Sequence, residues 1–186
     1  MDITYTVEFF TYWHCGSGLS AGADVDALVV KDGDGLPFIP GKTLKGLLRE
    51  AAEDLLRVEG GRTYDIDRIF GEAYKTDWSS KEKPAVGEAF FANATFPEED
   101  KAKIIENGLQ KYLFTSLSNT AIDENGCAKA HSLRKTEVAL PCTLEGTIMN
   151  VPDESAEFIG RCFGLIKRLG AGRNRGLGRC KFTPIK

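Results

Sequence analysis

The chain has no CxxC pair, no Asp or Glu anywhere in residues 161–186, and no apolar run approaching the roughly 18 residues that a membrane span needs. Each absence excludes something. Its five cysteines, at positions 15, 127, 142, 162 and 180, are odd in number and scattered, which predicts reduced thiols in a cytoplasmic protein rather than a disulfide frame. A zinc site built from His14, Cys15, Cys127 and His131 is disfavoured, because that spacing matches no zinc-binding pattern. No charged segment followed by a short apolar run opens the chain, so a soluble, unprocessed protein away from any membrane is expected. The glycine-rich segment near the C-terminus lacks the Gly-Lys-Ser/Thr of a Walker loop, and it precedes a strand instead of opening a helix, which excludes a dinucleotide fingerprint. The aromatic strand of an RNA-recognition motif is not written here either.

What is present is ordinary in sum and uneven in distribution. With 186 residues, 42% apolar and 27% charged, the chain is sized for one globular domain over 1–186, with insertions at about 14–40, 60–85 and 119–135. The net charge is −3, yet residues 161–186 hold Arg161, Lys167, Arg168, Arg173, Arg175, Arg179, Lys181 and Lys186 with no acid among them. That end is a basic patch, and charge acts locally. The acids collect in "EAAEDLLRVE" and "FPEEDKAKIIE", which read as solvated helix faces.

Periodicity supplies the elements. "ITYTVEFFTYW" alternates and is rich in β-branched and aromatic residues, so it predicts a strand. "PGKTLKGLLREAAEDLLRV" sets Leu44, Leu47, Leu48, Ala51, Leu55 and Leu56 on one helical stripe after a Pro-Gly start. "AVGEAFFANATF", "KYLFTSLSN" and "TEVALPCTLEGTIM" read as strands, and "NTAIDENGCAKAHSLRK", with its Glu-Asn-Gly turn signal, reads as a projecting hairpin or loop. "ESAEFIGRCFGLIKRL" predicts a second helix with Gly170 just past its end, and "LGRCKFTPI" a closing strand. The predicted class is α+β, a ferredoxin-like βαββαβ core carrying an inserted hairpin.

The basic glycine segment "LGAGRNRGLGRCKF" is the first chemical candidate. Gly170, Gly172, Gly176 and Gly178 would let a sugar-phosphate backbone approach the main chain while Arg173 and Arg175 meet phosphates; a flexible basic turn has the same composition. The first helix is the second candidate. Lys42, Lys45 and Arg49 share a face near its N-terminus, where the macrodipole disfavours cations, so the face is expected to want an anion held also by first-turn N–H groups; a solvated cationic face is the alternative. The loop "DGDG" has the look of a calcium site, but an EF-hand starting at Asp32 would need Glu where Thr43 stands.

Three motifs in order carry a family resemblance: "HCGSGLSAGADVDALVVKDGDGLPFIPGKTLKGLLRE", "SLRKTEVALPCTLEGTIM" and "RLGAGRNRGLGRCKF". Together they resemble the RAMP superfamily of CRISPR proteins, and within it the backbone subunit of type III effector complexes. The chain departs from that pattern where His-Cys-Gly-Ser replaces a glycine pair, and "YDIDRIFGEAYKTDWSSKEKPAVGE" fits only loosely.

The resemblance implies a guide-RNA groove lined by His14, Lys42, Lys45 and Arg49 and by Gly170, Gly172, Arg173, Asn174, Arg175 and Gly176, with Arg134 and Lys135 at the hairpin. It implies that residues 119–135 form a thumb-like hairpin wedged between guide and target RNA, and that multiple copies of the chain line up along the guide beside other effector subunits. Asp26 falls where cleaving members carry an aspartate that cuts target RNA with a divalent metal, Mg²⁺ or Mn²⁺. Two other readings stand beside this one: a guide-processing endonuclease using His14 as general base, and an RNA-binding subunit that never cuts.

Overall fold

The computed structural model describes residues 1–22, 24–59, 64–72 and 85–185. In chain order the elements are β1 (Ile3–Phe9), α1 (Gly41–Glu59), α2 (Ile66–Phe70), β2 (Phe90–Phe91), α3 (Glu98–Glu106), β3 (Phe114–Asn119), β4 (Arg134–Ala139), β5 (Thr143–Met149), α4 (Ala156–Leu165) and β6 (Cys180–Ile185). An antiparallel sheet of order β2-β5-β1-β6 forms the centre, and β3 and β4 make a separate two-stranded sheet. With α1 and α4 as the crossovers, the central sheet is the ferredoxin-like βαββαβ plan that the sequence predicts.

Alternation in β1 produces the layering. Ile3, Tyr5, Val7 and Phe9 are buried, while Thr4 and Glu8 between them are exposed. α1 covers the buried face with Leu44, Leu48, Ala51 and Ala52, and α4 covers it with Phe158, Ile159, Cys162 and Phe163. The Tyr5 and Phe163 rings lie 5.0 Å apart, and Phe163 stacks on Phe182 at 5.3 Å. The opposite face carries Thr4, Thr6, Thr143, Glu145, Thr147, Lys181 and Thr183, and Phe90 of the edge strand β2, opposite Met149, joins it as an exposed aromatic. α1 begins hard against β2: a side chain at Gly41 would place its Cβ 1.9 Å from the Phe91 carbonyl oxygen.

Several predicted boundaries move. "TEVALPCTLEGTIM" is not one strand but two in different sheets, β4 and β5, separated at Pro141, which has no N–H to give a ladder. "AVGEAFFANATF" contributes only Phe90–Phe91 to the ladder, with isolated bridges from Ala94 to Ile39 and from Thr95 to Glu145. The second helix stops at Leu165, well before Gly170, because Lys167–Leu169 is extended and pairs with Gly178–Cys180: Leu169 N–H donates to the Gly178 carbonyl and Cys180 N–H to that of Lys167. Of the three expected insertions, 14–40 is irregular chain tied by isolated bridges and 119–135 is a hairpin. In the third, 64–72 contains α2, and 60–63 and 73–84 lie outside the described residues.

Candidate nucleic-acid interface

The glycine loop has a rigid base and a displayed tip. Gly170 (φ +91°) lies against the chain at His14, where an added Cβ would come within 2.4 Å of the His14 carbonyl oxygen, and Ala171 N–H donates to that same oxygen at 2.8 Å. Gly178 (φ +69°) is pressed against Leu169, its virtual Cβ 1.9 Å from the Leu169 oxygen, while its N–H reaches the Tyr12 carbonyl at 2.7 Å. These two glycines therefore serve close approach between protein backbones, while Gly170 also lines the open cavity at the arginine tip. Gly172 and Gly176, both left-handed, bracket a single 3-10 turn of Arg173, Asn174 and Arg175, all exposed. That turn is the tip.

The hairpin meets the tip. β3 and β4 pair from Phe114↔Ala139 to Asn119↔Arg134, and the chain beyond is closed by Asp123, whose carboxylate accepts the N–H groups of Asn125 and Cys127 at 2.9 Å. One cavity is lined jointly by Asn119, Thr120, Lys129, His131, Ser132 and Arg134 of the hairpin and by Arg175 of the glycine loop. Lys129 is an addition that sequence reasoning did not single out, and His131 was weighed there only as a zinc ligand; their position inside a predicted hairpin was the available signal. None of Lys129, Arg134, Lys135, Lys167, Arg168, Arg173, Arg175, Arg179 or Lys181 forms an ion pair with a described residue. Arg168 donates to the Arg173 carbonyl and Arg179 lies over the Phe10 ring, and no described acid neutralises any of these cations.

The helix cations are placed differently. The Arg49 guanidinium is spent inside the protein, on Glu53 at 3.0 Å, on the Asp67 carboxylate at 2.6 Å and on the Gly71 carbonyl at 2.6 Å, so it ties α1 to α2 instead of lining a groove. The flank of α1 that faces the glycine loop carries Thr43, Leu47, Glu50 and Asp54, about half a turn around the helix from Lys45 and Arg49. Lys42 is exposed and Lys45 half-buried, on the other side. The helix N-terminus is also occupied: Gly41 N–H donates to the Asn93 side-chain oxygen at 2.9 Å, and Thr43 and Leu44 both donate to the Pro40 carbonyl. The expected phosphate cradle of first-turn N–H groups is therefore largely closed.

His14 and Asp26 converge on β4. His14 is 4% exposed, and its Nδ1 donates to the Glu137 carbonyl at 2.6 Å. Glu137 is a hub: its carboxylate accepts Val29 N–H and Lys31 Nζ, each at 2.9 Å, and its own N–H donates to the Ala27 carbonyl. Asp26 is exposed and fastened to Lys135 on both sides of the peptide: Asp26 N–H donates to the Lys135 carbonyl at 2.9 Å, and Lys135 N–H donates to Asp26 Oδ2 at 2.7 Å. Asp26 Oδ1 has no hydrogen-bond partner among the described residues, at the foot of the hairpin.

The donor set limits the metals. Among the described residues no three His, Cys, Asp or Glu side chains gather to hold an ion. The zinc quartet is not assembled, since His14 and Cys15 are buried while Cys127 and His131 are exposed in the hairpin. In the "DGDG" loop Lys101 of α3 supplies the cation, 2.7 Å from Asp34 and 3.8 Å from Asp32. A Mg²⁺ or Mn²⁺ ion at the hairpin foot would have Asp26 as its protein ligand and take the rest from water and phosphates, which suits Mg²⁺. All five cysteines are free thiols, and burial pushes Cys15, Cys142 and Cys180 up to about 12. No described helix is long and apolar enough to cross a membrane.

Among solved structures, the chain is similar to one described as a Type III-B Cmr-beta bound to cognate target RNA, with a TM-score of 0.74 and 12% identity over 99% of this chain and 97% of the other. It is also similar to the apo state of Type III-B Cmr-beta, with a TM-score of 0.68 and 12% identity over 100% and 98% of the two chains. At such identity these likenesses establish the fold. No curated protein matches. Residues 6–181 match the RAMP superfamily, a span that takes in the His14 segment, the hairpin and the glycine loop, and the chain belongs to that superfamily.

Proposed function

We propose that this chain is a guide-RNA-binding backbone subunit of a type III CRISPR effector complex, and that Asp26 directs cleavage of the target RNA. The observation that carries the reading is the joining of hairpin and glycine loop in one cavity through Arg175, with Asp26 fastened at the hairpin foot and the surrounding cations unpaired among the described residues. A phosphate backbone can track Arg173 and Arg175 while the hairpin stands across its path. Such contacts position RNA without reading its sequence, as a subunit serving any guide requires. Likeness to Cmr-beta chains, one of them solved with target RNA, supports the same assembly.

Asp26 acts as a held carboxylate. Lys135 N–H fixes Oδ2 and leaves Oδ1 to meet a ribose 2′-OH or the water shell of an ion. A Mg²⁺ or Mn²⁺ shared between Asp26 and RNA phosphates would neutralise charge building at the scissile phosphate. Multiple copies on one guide follow from a single RNA-tracking surface repeated head to tail.

The test is Asp26→Ala in the guide-loaded assembly, with labelled complementary RNA, with Mg²⁺ or Mn²⁺ and with EDTA. Guide and target binding should stay within about twofold, because binding draws on cations, while cleavage falls by about 100-fold or more as alignment is lost. Cutting by the variant at the original rate would make Asp26 a loop acid. EDTA-resistant cutting that stops in His14→Ala would transfer the chemistry to guide processing.

A further inference from the structure

His14 is buried to all but 4% of its surface, yet only one of its two ring nitrogens is used. The partner of Nδ1 is a main-chain carbonyl, which can only accept, so Nδ1 carries the proton. Nε2 of the neutral ring then presents a lone pair. It has no hydrogen-bond partner among the described residues, and it lies where His14 lines a cavity with Gly16, Thr43, Gly170, Ala171 and Arg173. Gly16 keeps that edge reachable, since a Cβ there would sit 3.2 Å from Nε2, and Gly170 lets the arginine loop pack directly on the His14 main chain and so brings Arg173 to the same cavity.

A lone pair in such a place selects its ligand. Phosphate oxygens are acceptors and are repelled by it, whereas a hydroxyl hydrogen fits it. Arg173, exposed and without a described ion-pair partner, stands at the rim of the same cavity to take a phosphate. The pair therefore matches one nucleotide seen from its sugar edge, phosphate outside and hydroxyl inside. We propose that His14 Nε2 accepts a hydrogen bond from the 2′-OH of one ribonucleotide per bound chain, so that this cavity distinguishes RNA from DNA. The proposal rests on the RNA-binding reading above and adds a chemical selectivity to it.

The experiment is binding of the purified chain to a short single-stranded RNA in which one 2′-deoxy or one 2′-fluoro nucleotide is stepped along the strand. It is run near pH 8, where imidazoles are ordinarily neutral. One position per bound chain should lose about 3- to 10-fold in affinity with either modification, the loss expected from one neutral hydrogen bond. Fluorine keeps the ribose pucker and lacks the O–H, so an equal loss assigns the effect to the donor. In Gly16→Ala, whose methyl would sit 3.2 Å from Nε2 while the imidazole remains, that positional penalty should vanish while binding of the unmodified RNA persists. His14→Phe should do the same, and Gly16→Ala decides if that variant does not fold. RNA binding with no penalised position, or a penalty that survives in Gly16→Ala, overturns the proposal alone. No RNA binding by the original chain overturns the RNA-binding reading with it.

Discussion

Replacing Arg173 and Arg175 together by alanine should change how RNA affinity depends on salt more than it changes the fold. Both side chains are exposed on the tip between Gly172 and Gly176, and neither pairs with a described acid, so their removal should cost the protein no more than about 0.5 kcal/mol. For single strands, log K falls with log salt at about 0.7 per phosphate neutralised, so two lost contacts flatten the slope by about 1.4. Across the fourfold range from about 50 to 200 mM salt, the affinity of the variant should fall about 7-fold less than that of the original chain. Fluorescence anisotropy with a labelled RNA at four salt concentrations measures this directly. Arg49→Ala is the matched control, since its guanidinium is held by Glu53, Asp67 and Gly71: it should lower thermal stability and leave the slope alone. An unchanged slope in the Arg173, Arg175 variant, or an equal flattening in Arg49→Ala, would refute the assignment of the tip as the phosphate contact.

Two further outcomes test the core. Tyr5 carries a buried hydroxyl with no hydrogen-bond partner, beside Gly146 in a site where burial raises its ionisation well above the ordinary range, so Tyr5→Phe should stabilise the fold by about 1 kcal/mol in denaturant unfolding; a loss of stability would mean that the hydroxyl is satisfied. Burial raises Cys15, Cys142 and Cys180 to about 12 and Cys162 to about 11, above ordinary thiols, so the unfolded chain releases these protons first. Stability from this source should be intact below about pH 8.5 and decline steadily towards pH 12. In the native state at neutral pH a thiol reagent should modify Cys127 quickly, the half-buried Cys142 more slowly and the buried Cys15, Cys162 and Cys180 slowest, and rapid reaction of those three would refute their burial.

Legibility in the sequence followed the range of the forces involved. β1, the register of α1's buried stripe and the existence of the hairpin are set by spacing and turn chemistry within a few residues, and all three form, with β1 ending at Phe9 where its pattern runs on to Trp13. The end of α4 was not legible. Its helical spacing continues through Ile166 and Leu169, yet hydrogen bonds to Gly178 and from Cys180 hold that stretch extended. Arg49 is a similar case: nothing near it in sequence announces that Asp67 and Gly71 will claim its guanidinium. The Asn93 oxygen that caps α1 comes from 52 residues away, and it takes one of the first-turn N–H groups that a predicted anion site would use.

The same partition of charge explains how a chain of net charge −3 can present a basic surface. The acids are matched to cations elsewhere: Glu53 and Asp67 on Arg49, Glu88 and Glu154 on Arg68, Asp32 and Asp34 near Lys101. Exposed pairs of this kind contribute little stability, about 0 to 1 kcal/mol each, so their effect on the field matters more than their effect on the fold. They cancel in place and leave the hairpin and glycine loop with cations that no described acid answers. Glu50 and Asp54 set negative charge beside the loop: they stand on α1 across a cleft from Lys167, Arg168 and Arg173 and close no ion pair across it, Asp54 pairing instead with Arg57 on its own helix at 3.0 Å. Under the proposed function, a strand of RNA drawn to the arginine tip would meet carboxylates on straying towards α1 and cations on following the loop towards the hairpin. The acids would then fix the direction of the path as much as the arginines do, past Arg175 towards Arg134 and the foot of the hairpin, where Asp26 is held.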